Sequence, residues 1–236
     1  MSTTQTLDTH LAYLKLSSIQ ENYATLAKTA GEQQWPPLQY LETLVEEETR
    51  QRQERATQRR LRLARFPVNK TLQQYQWQWP TAINEMQVKQ LFRLQFIEQK
   101  ANAIFLGQVG WGKTHLACAL GYEACLKGYS VLFTTAVAAI NNLCAAQAAG
   151  RLKQELAKYN KPQLLILDEL GYLPIDKTGA DLLFQIISQR YESGALVITS
   201  NRAYKDWPEI FNQDATLTSA ILDRLLHHAD TITFCI

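Results

Sequence analysis

Eight consecutive residues, Gly107 to Thr114, read GQVGWGKT, and they constrain the chain more than any other feature. The pattern is G-x-x-x-x-G-K-[ST]. Its glycines let backbone N–H groups close around phosphates, its lysine reaches the outer phosphates, and the helix behind it adds the positive end of a dipole. Such a loop works only between a strand and a helix, and the flanks supply both. Ala103 to Leu106 is a short apolar strand, and Lys113 to about Lys127 reads as a helix closed by Gly128. The competing reading is a glycine turn that merely joins strand to helix. The loop predicts that Gly107, Gln108, Val109, Gly110, Trp111, Gly112, Lys113, Thr114 and His115 surround the phosphates of ATP, with the Thr114 hydroxyl on Mg²⁺.

The alternation continues downstream. Val131 to Thr134, Leu164 to Leu167 and Leu196 to Thr199 are apolar on both faces, as central parallel strands are. Helical spacing fills the intervals at Val137 to Ala148, Leu152 to Tyr159 and Thr178 to Glu192, and a last helix, Thr218 to His228, leads into a strand from Thr231 to Cys235. This βαβ order predicts a parallel sheet flanked by helices. A further helix is expected from Glu85 to Gln99.

Two carboxylates end the string LLILDE, which places Asp168 and Glu169 at the C-terminal edge of a buried strand, where open α/β sheets bind ligands. One acid there can orient Mg²⁺ and the other can polarise the water that attacks a γ-phosphate. Asp168 is assigned the first role and Glu169 the second. Asn201, just past the next strand, can hydrogen-bond the γ-phosphate or the attacking water; the bland alternative is an ordinary turn asparagine. Arg224 lies in the amphipathic helix TSAILDRLLHHA, facing outward as a solvated charge or as a cation donated to a neighbouring subunit's phosphates. His227 and His228 are adjacent, so a continuous helix would turn them apart and make no metal pair. Cys118, Cys125, Cys144 and Cys235 are never spaced as CxxC and read as core residues.

Ahead of the core, Leu16, Ile19, Tyr23 and Leu26 form a helical stripe with Gly31 as a stop. Leu38, Leu41, Leu44 and Val45 open a second helix that can run to about Arg65. Pro67 and TLQQYQWQWP, closing at Pro80, break the pattern. The expected organisation is a helical domain over 1–66, a connector over 67–84 and the nucleotide-binding core over 85–236. The chain's net charge is +2, yet Arg50 to Lys70 holds eight basic residues against Glu54 alone. A run of +7 on a helix points to sequence-independent contact with DNA phosphates through Arg55, Arg59, Arg60 and Arg62, with Arg151 and Lys153 as a second candidate patch. The alternative is a solvated helix face. With 46% hydrophobic and 19% charged residues, disorder is excluded as a default. No apolar run approaches a bilayer's thickness, so a cytosolic chain with no membrane partner is expected.

Taken in order, these residues resemble the AAA+ ATPases. The strings RRLRLARFPVNKTLQQYQWQWP, KANAIFLGQVGWGKTHLACALGYEACLKGYSVLFTT, LLILDELGYLPIDKTGADLLFQIISQRYE and LTSAILDRLLHHAD are similar to the IstB-type transposition helper ATPases, over about Leu11 to Thr233. The resemblance implies an AAA+ P-loop NTPase core behind a small α-helical N-terminal domain. It also implies an ATPase that assembles into an ATP-dependent oligomer on double-stranded DNA and presents that target to its cognate transposase. By position it makes Gly107 to Thr114 the ATP site, Asp168 and Glu169 the Mg²⁺ and hydrolysis pair, Asn201 the first sensor and Arg224 the finger between subunits. The family is related to DnaC-type helicase loaders, so a loader is an alternative, as is a truncated DNA-binding scaffold that does not hydrolyse ATP. A small-molecule P-loop kinase fits these acids and Arg224 poorly. Two departures stand out. Relatives run on past the last strand into a basic segment, whereas this sequence ends at TFCI, which leaves a second sensor without a matching residue. Trp111 is also bulkier than the residue relatives place in the loop.

Overall fold

A computed structural model describes residues 3–78 and 83–234. Trp79 and Pro80 of the expected connector, and Cys235 of the expected last strand, lie outside the described residues. The chain forms two compact units, Met1–Arg59 and Arg60–Ile236. The division lies upstream of Pro67, because Leu61, Ala64 and Phe66 already join the apolar cluster of the second unit.

The first unit holds α1 (Thr3–Tyr13), α2 (Ser17–Glu32) and most of α3 (Pro37–Ala64). Gly31 does not stop α2. The helix runs on to Glu32, and Gln34 adopts the left-handed conformation that ends it, at φ 54°. The unit's core is thin. Leu11 and Leu44 are buried, whereas Leu38, Leu41 and Val45 of the expected α3 stripe are exposed. A buried carboxylate does the organising instead. Glu48 accepts the N–H groups of Ser18 (2.8 Å) and Ile19 (3.2 Å), satisfying two donors at the start of α2 that have no partner inside the helix. Burial pushes its pKa up, but Arg52 at 2.7 Å and those two N–H groups outweigh burial and hold it below the ordinary carboxylate value.

The second unit is built on a five-stranded parallel sheet: β1 (Asn102–Leu106), β2 (Val131–Thr135), β3 (Leu164–Leu170), β4 (Ala195–Ser200) and β5 (Ala229–Thr233), in the order β2-β3-β4-β1-β5. Strand periodicity divides its apolar residues between two cores. Ala103, Phe105, Leu164, Ile166 and Val197 face one side, covered by α6 (Lys113–Leu126), α4 (Glu85–Leu91) and α5 (Gln95–Glu98). Ile104, Leu106, Leu165, Leu167 and Ile198 face the other, under α7 (Ala136–Ala148), α8 (Leu152–Asn160), α9 (Lys177–Arg190), α10 (Trp207–Ile210) and α11 (Ala215–Leu226). Each fully buried Leu, Ile or Phe contributes about 1.5–3 kcal/mol, which is why these strands carry no polar alternation.

The helix expected over Glu85–Gln99 is broken. Leu94 turns left-handed, at φ 64°, so that Leu91, Leu94, Phe96 and Ile97 all reach the core. Asp214 starts α11 three residues ahead of the expected Thr218 by accepting the Leu217 N–H at 2.8 Å. Cys118 and Cys125 are buried core thiols, as expected, and burial pushes them up to about 12 and about 11. No helix among the described residues is long and apolar enough to cross a membrane.

Candidate functional site

The C-terminal edge of the sheet collects the predicted polar residues in one place. After β1 the chain turns through Gly107 to Gly112 and enters α6 at Lys113. Gly107 is required by close approach, since a Cβ there would lie 2.6 Å from the Phe234 Cβ. Gly112 is required by conformation, at φ 83°, with the Tyr75 ring 2.8 Å from where its Cβ would be. A cavity of about 300 Å³ opens above the loop, lined by Val109, Gly110, Gly112, Lys113, Thr114, Glu169, Tyr172, Thr199 and Asn201. A helix N-terminus on the cavity wall gives it N–H donors and a positive dipole end, a setting suited to an anion.

Within this cavity the Lys113 ammonium donates to the carbonyls of Gly107 (2.6 Å) and Gln108 (2.7 Å). Burial holds it below the ordinary lysine value, against the pull of Asp168 and Glu169. The Thr114 hydroxyl lies 3.0 Å from both Asp168 carboxylate oxygens. Asp168 is 3% exposed, and burial raises its pKa above the ordinary carboxylate value despite hydrogen bonds from Thr199 and Thr114 and the charge of Lys113. A buried carboxylate beside a hydroxyl is a pair of hard oxygen donors, which fits Mg²⁺. Thr114 and Asp168 are the residues that would hold it, and the ion would neutralise phosphate charge.

Glu169 is exposed and left-handed, at φ 60°. Asn201 follows β4 on the cavity wall. Two wall residues escaped the sequence reading. Thr199 looked like one more strand residue, and Tyr172, 62% exposed, had no motif to mark it. The side chains of the loop divide. Trp111 packs half-buried against the apolar cluster beneath the loop, away from the cavity. His115 turns toward the connector, its Nε2 3.2 Å from the Thr71 carbonyl and its ring edge-on to Tyr75. The Tyr75 hydroxyl donates to the Trp111 carbonyl at 3.4 Å.

Arg224 is elsewhere. The Asn102 side chain donates to the Leu225 carbonyl (2.9 Å) and the Asn102 N–H to that of His228 (2.7 Å), so the end of α11 sits at the N-terminal end of β1. The P-loop leaves the opposite end, about 15 Å away at a strand's rise per residue. Arg224 is half-buried rather than fully outward, with its guanidinium 4.8 Å over the Phe184 ring. Because α11 ends at Leu226, His227 and His228 are not turned apart. Their ring centroids are 4.2 Å apart, and with Glu192 they bring three ligand atoms within 4.8 Å of one another, all on exposed residues.

The basic stretch is less bare than its count. Arg50 pairs with Glu47 (2.7 Å) and Glu54 (3.0 Å), Arg52 with Glu48, and Arg55 donates to Ser17 Oγ at 2.6 Å. In the second unit the Arg60 Nε donates to the Cys125 carbonyl at 2.9 Å. Arg59, Arg62, Arg151 and Lys153 are exposed. The +7 shrinks because Glu47 and Glu48 lie one helical turn before the counted window.

Residues 9–234 match the family described as IstB-like ATP binding protein. A protein named for ATP binding in insertion sequence IS5376 of Geobacillus stearothermophilus is 38% identical over 216 residues, spanning 92% of this chain and 86% of the relative. Its counterpart in IS21 of Pseudomonas aeruginosa is 37% identical over 226 residues, spanning 96% and 85%. Among solved structures, DnaI superposes with a TM-score of 0.60 at 19% identity, over 75% of this chain and 94% of its own. DnaA bound to AMPPCP and single-stranded DNA gives 0.59 at 21% identity, over 73% and 51%. Those two likenesses show the shared AAA+ fold. With its P-loop at the sheet's C-terminal edge, the chain belongs to the IstB-like ATP-binding proteins.

Proposed function

We propose that this protein is an ATP-hydrolysing transposition helper that assembles on duplex DNA and presents it to a transposase. The observation that carries the reading is the gathering of Lys113, Thr114, Glu169 and Asn201 around one cavity, with Asp168 buried behind Thr114, while Arg224 occupies the opposite sheet edge. Lys113 would release the loop carbonyls to meet the β- and γ-phosphates. Thr114 and Asp168 would hold Mg²⁺, Glu169 would orient the attacking water, and Asn201 would contact the γ-phosphate. Arg224 is too far to serve its own site, so its charge reaches phosphate only in a neighbouring subunit. The exposed Arg59, Arg62, Arg151 and Lys153 support contact with DNA phosphates, and the insertion-sequence names of the relatives support the transposase as partner.

Mixing two inactive variants tests the shared site. Glu169→Gln and Arg224→Ala are each expected to lose ATP turnover on DNA. Mixed, they should recover part of it, because an Arg224→Ala protomer keeps its own Glu169 and borrows an arginine from a Glu169→Gln neighbour. Absence of recovery, or a full-rate Arg224→Ala protein that stays monomeric with ATP and DNA, would sink the reading. Capture of a helicase instead of a transposase would replace it with the loader.

A further inference from the structure

The two acids sit in a β-bulge. Pairing between β3 and β4 runs to Leu167↔Ile198 and resumes at Leu170↔Ser200, so Asp168 and Glu169 together face a single residue, Thr199. Where the ladder is interrupted, the Thr199 hydroxyl replaces it. Glu169 N–H donates to Thr199 Oγ1 at 2.9 Å, and that hydroxyl, with one proton to give, donates it to Asp168 Oδ1 at 2.5 Å. Thr199 is 1% exposed, so water does not substitute for it. One hydroxyl thus pins the carboxylate of Asp168 and the left-handed backbone of Glu169, a conformation that an L residue keeps only when its surroundings hold it.

We infer that Thr199 is the positioning residue for the acid pair: through Asp168 it aims the carboxylate at Thr114, and through the Glu169 N–H it sets the direction in which the Glu169 carboxylate leaves the strand. The inference rests on the hydrolytic reading for Glu169, and for Asp168 on the Mg²⁺ site. Nothing else at this position demands a hydroxyl. Valine has nearly the same shape and a higher strand preference, and β4 uses it at Val197.

Thr199→Val removes the hydroxyl at nearly constant volume, and Thr199→Ser keeps it while removing the methyl. Three measurements separate the outcomes: ATP affinity with and without Mg²⁺, steady-state turnover, and hydrogen exchange of the Glu169 amide in metal-free protein. In the valine variant we expect unchanged Mg²⁺-free affinity, a 10- to 100-fold smaller gain in affinity from Mg²⁺ and a turnover number lower by about 10- to 100-fold, the usual range for losing a group that orients a metal ligand. The Glu169 amide should exchange faster. Serine should restore all three to within a few-fold. Wild-type Mg²⁺ dependence and amide protection in the valine variant would overturn the proposal, as would equal impairment in the serine variant, which would assign the effect to the methyl group. If wild type itself turns over no ATP, the hydrolytic reading fails, while Mg²⁺ dependence and amide exchange still decide Thr199.

Discussion

The two edges of the same sheet are built to opposite plans. At the C-terminal edge, polar residues from two strand ends and one helix gather at a cavity, and four of them are held by neighbours: Lys113 on loop carbonyls, Thr114 on Asp168, Asp168 and Glu169 on Thr199. At the N-terminal edge Arg190 is buried on backbone carbonyls of the strand starts, whereas Arg224 lies over Phe184 with no carboxylate paired to it among the described residues, and Asn102 ties its helix to the strand. One edge is a site whose lining holds a lysine but no arginine, and the other is an arginine away from that site. Both edges lie on one sheet, so the shared site proposed above would need a second copy of the chain to join them.

The sharpest way to break this comparison is to remove the Arg224 guanidinium. Arg224→Ala should lower ATP turnover by about 10³- to 10⁵-fold, the range for an arginine that stabilises phosphoryl transfer, while nucleotide affinity measured on the monomer stays within about two-fold. A loss of affinity in the monomer would place Arg224 in its own site and dissolve the contrast. Glu169→Gln should cost about 10²- to 10⁴-fold, as loss of a general base does, and leave ATP binding and assembly intact.

A smaller effect addresses the tether. Asn102 is 8% exposed and bonds the Leu225 carbonyl on one side and the Leu196 N–H on the other. Asn102→Ala should cost about 1–3 kcal/mol of unfolding free energy for buried groups left unpaired, read by denaturant unfolding. It should also reduce turnover without changing the Mg²⁺ dependence of nucleotide binding. If Mg²⁺ dependence changed as well, the two edges would not be separate devices.

The smallest effect concerns pH. Burial raises Asp168 above its ordinary value of 3.8, so the native state holds its proton more tightly than the unfolded chain. That contribution to stability is fully present below pH 3.8 and is lost as pH rises through the folded value. The metal-free protein should therefore lose stability over that rise relative to Asp168→Asn, and saturating Mg²⁺ with nucleotide should offset the loss. Thermal unfolding of both proteins across the acidic range checks the sign. Glu48, held below its ordinary value, contributes in the opposite sense: its share is present above the unfolded value and disappears as pH falls through the folded one.

Much of the C-terminal edge could be read from residues alone. A glycine-rich loop must join a strand to a helix, LLIL must be covered on both faces, and the acids that follow must emerge at the strand's end. What could not be read depends on register and on where helices stop. Thr199 is an ordinary strand threonine until a bulge sets one residue opposite two. His227 and His228 diverge on a continuous helix but meet when α11 ends at Leu226. Leu94 and Gln34 adopt positive φ without being glycine, so no residue type announced those breaks. The arginine run looked bare because its pairing acids, Glu47 and Glu48, precede it by a turn.

Trp111 gives the phosphate loop a spectroscopic handle. Its backbone belongs to the segment that must close on nucleotide, while its indole is wedged against apolar neighbours below. Any rearrangement of the loop therefore moves a fluorophore between a dry and a wetter environment. Trp207 is fully buried under the far face of the sheet and Trp77 lies edge-on to Tyr75 at 5.0 Å, so a Trp111→Phe control isolates the signal. With that control, occupancy of the loop can be followed in real time on unlabelled protein, at the rate at which the loop itself moves.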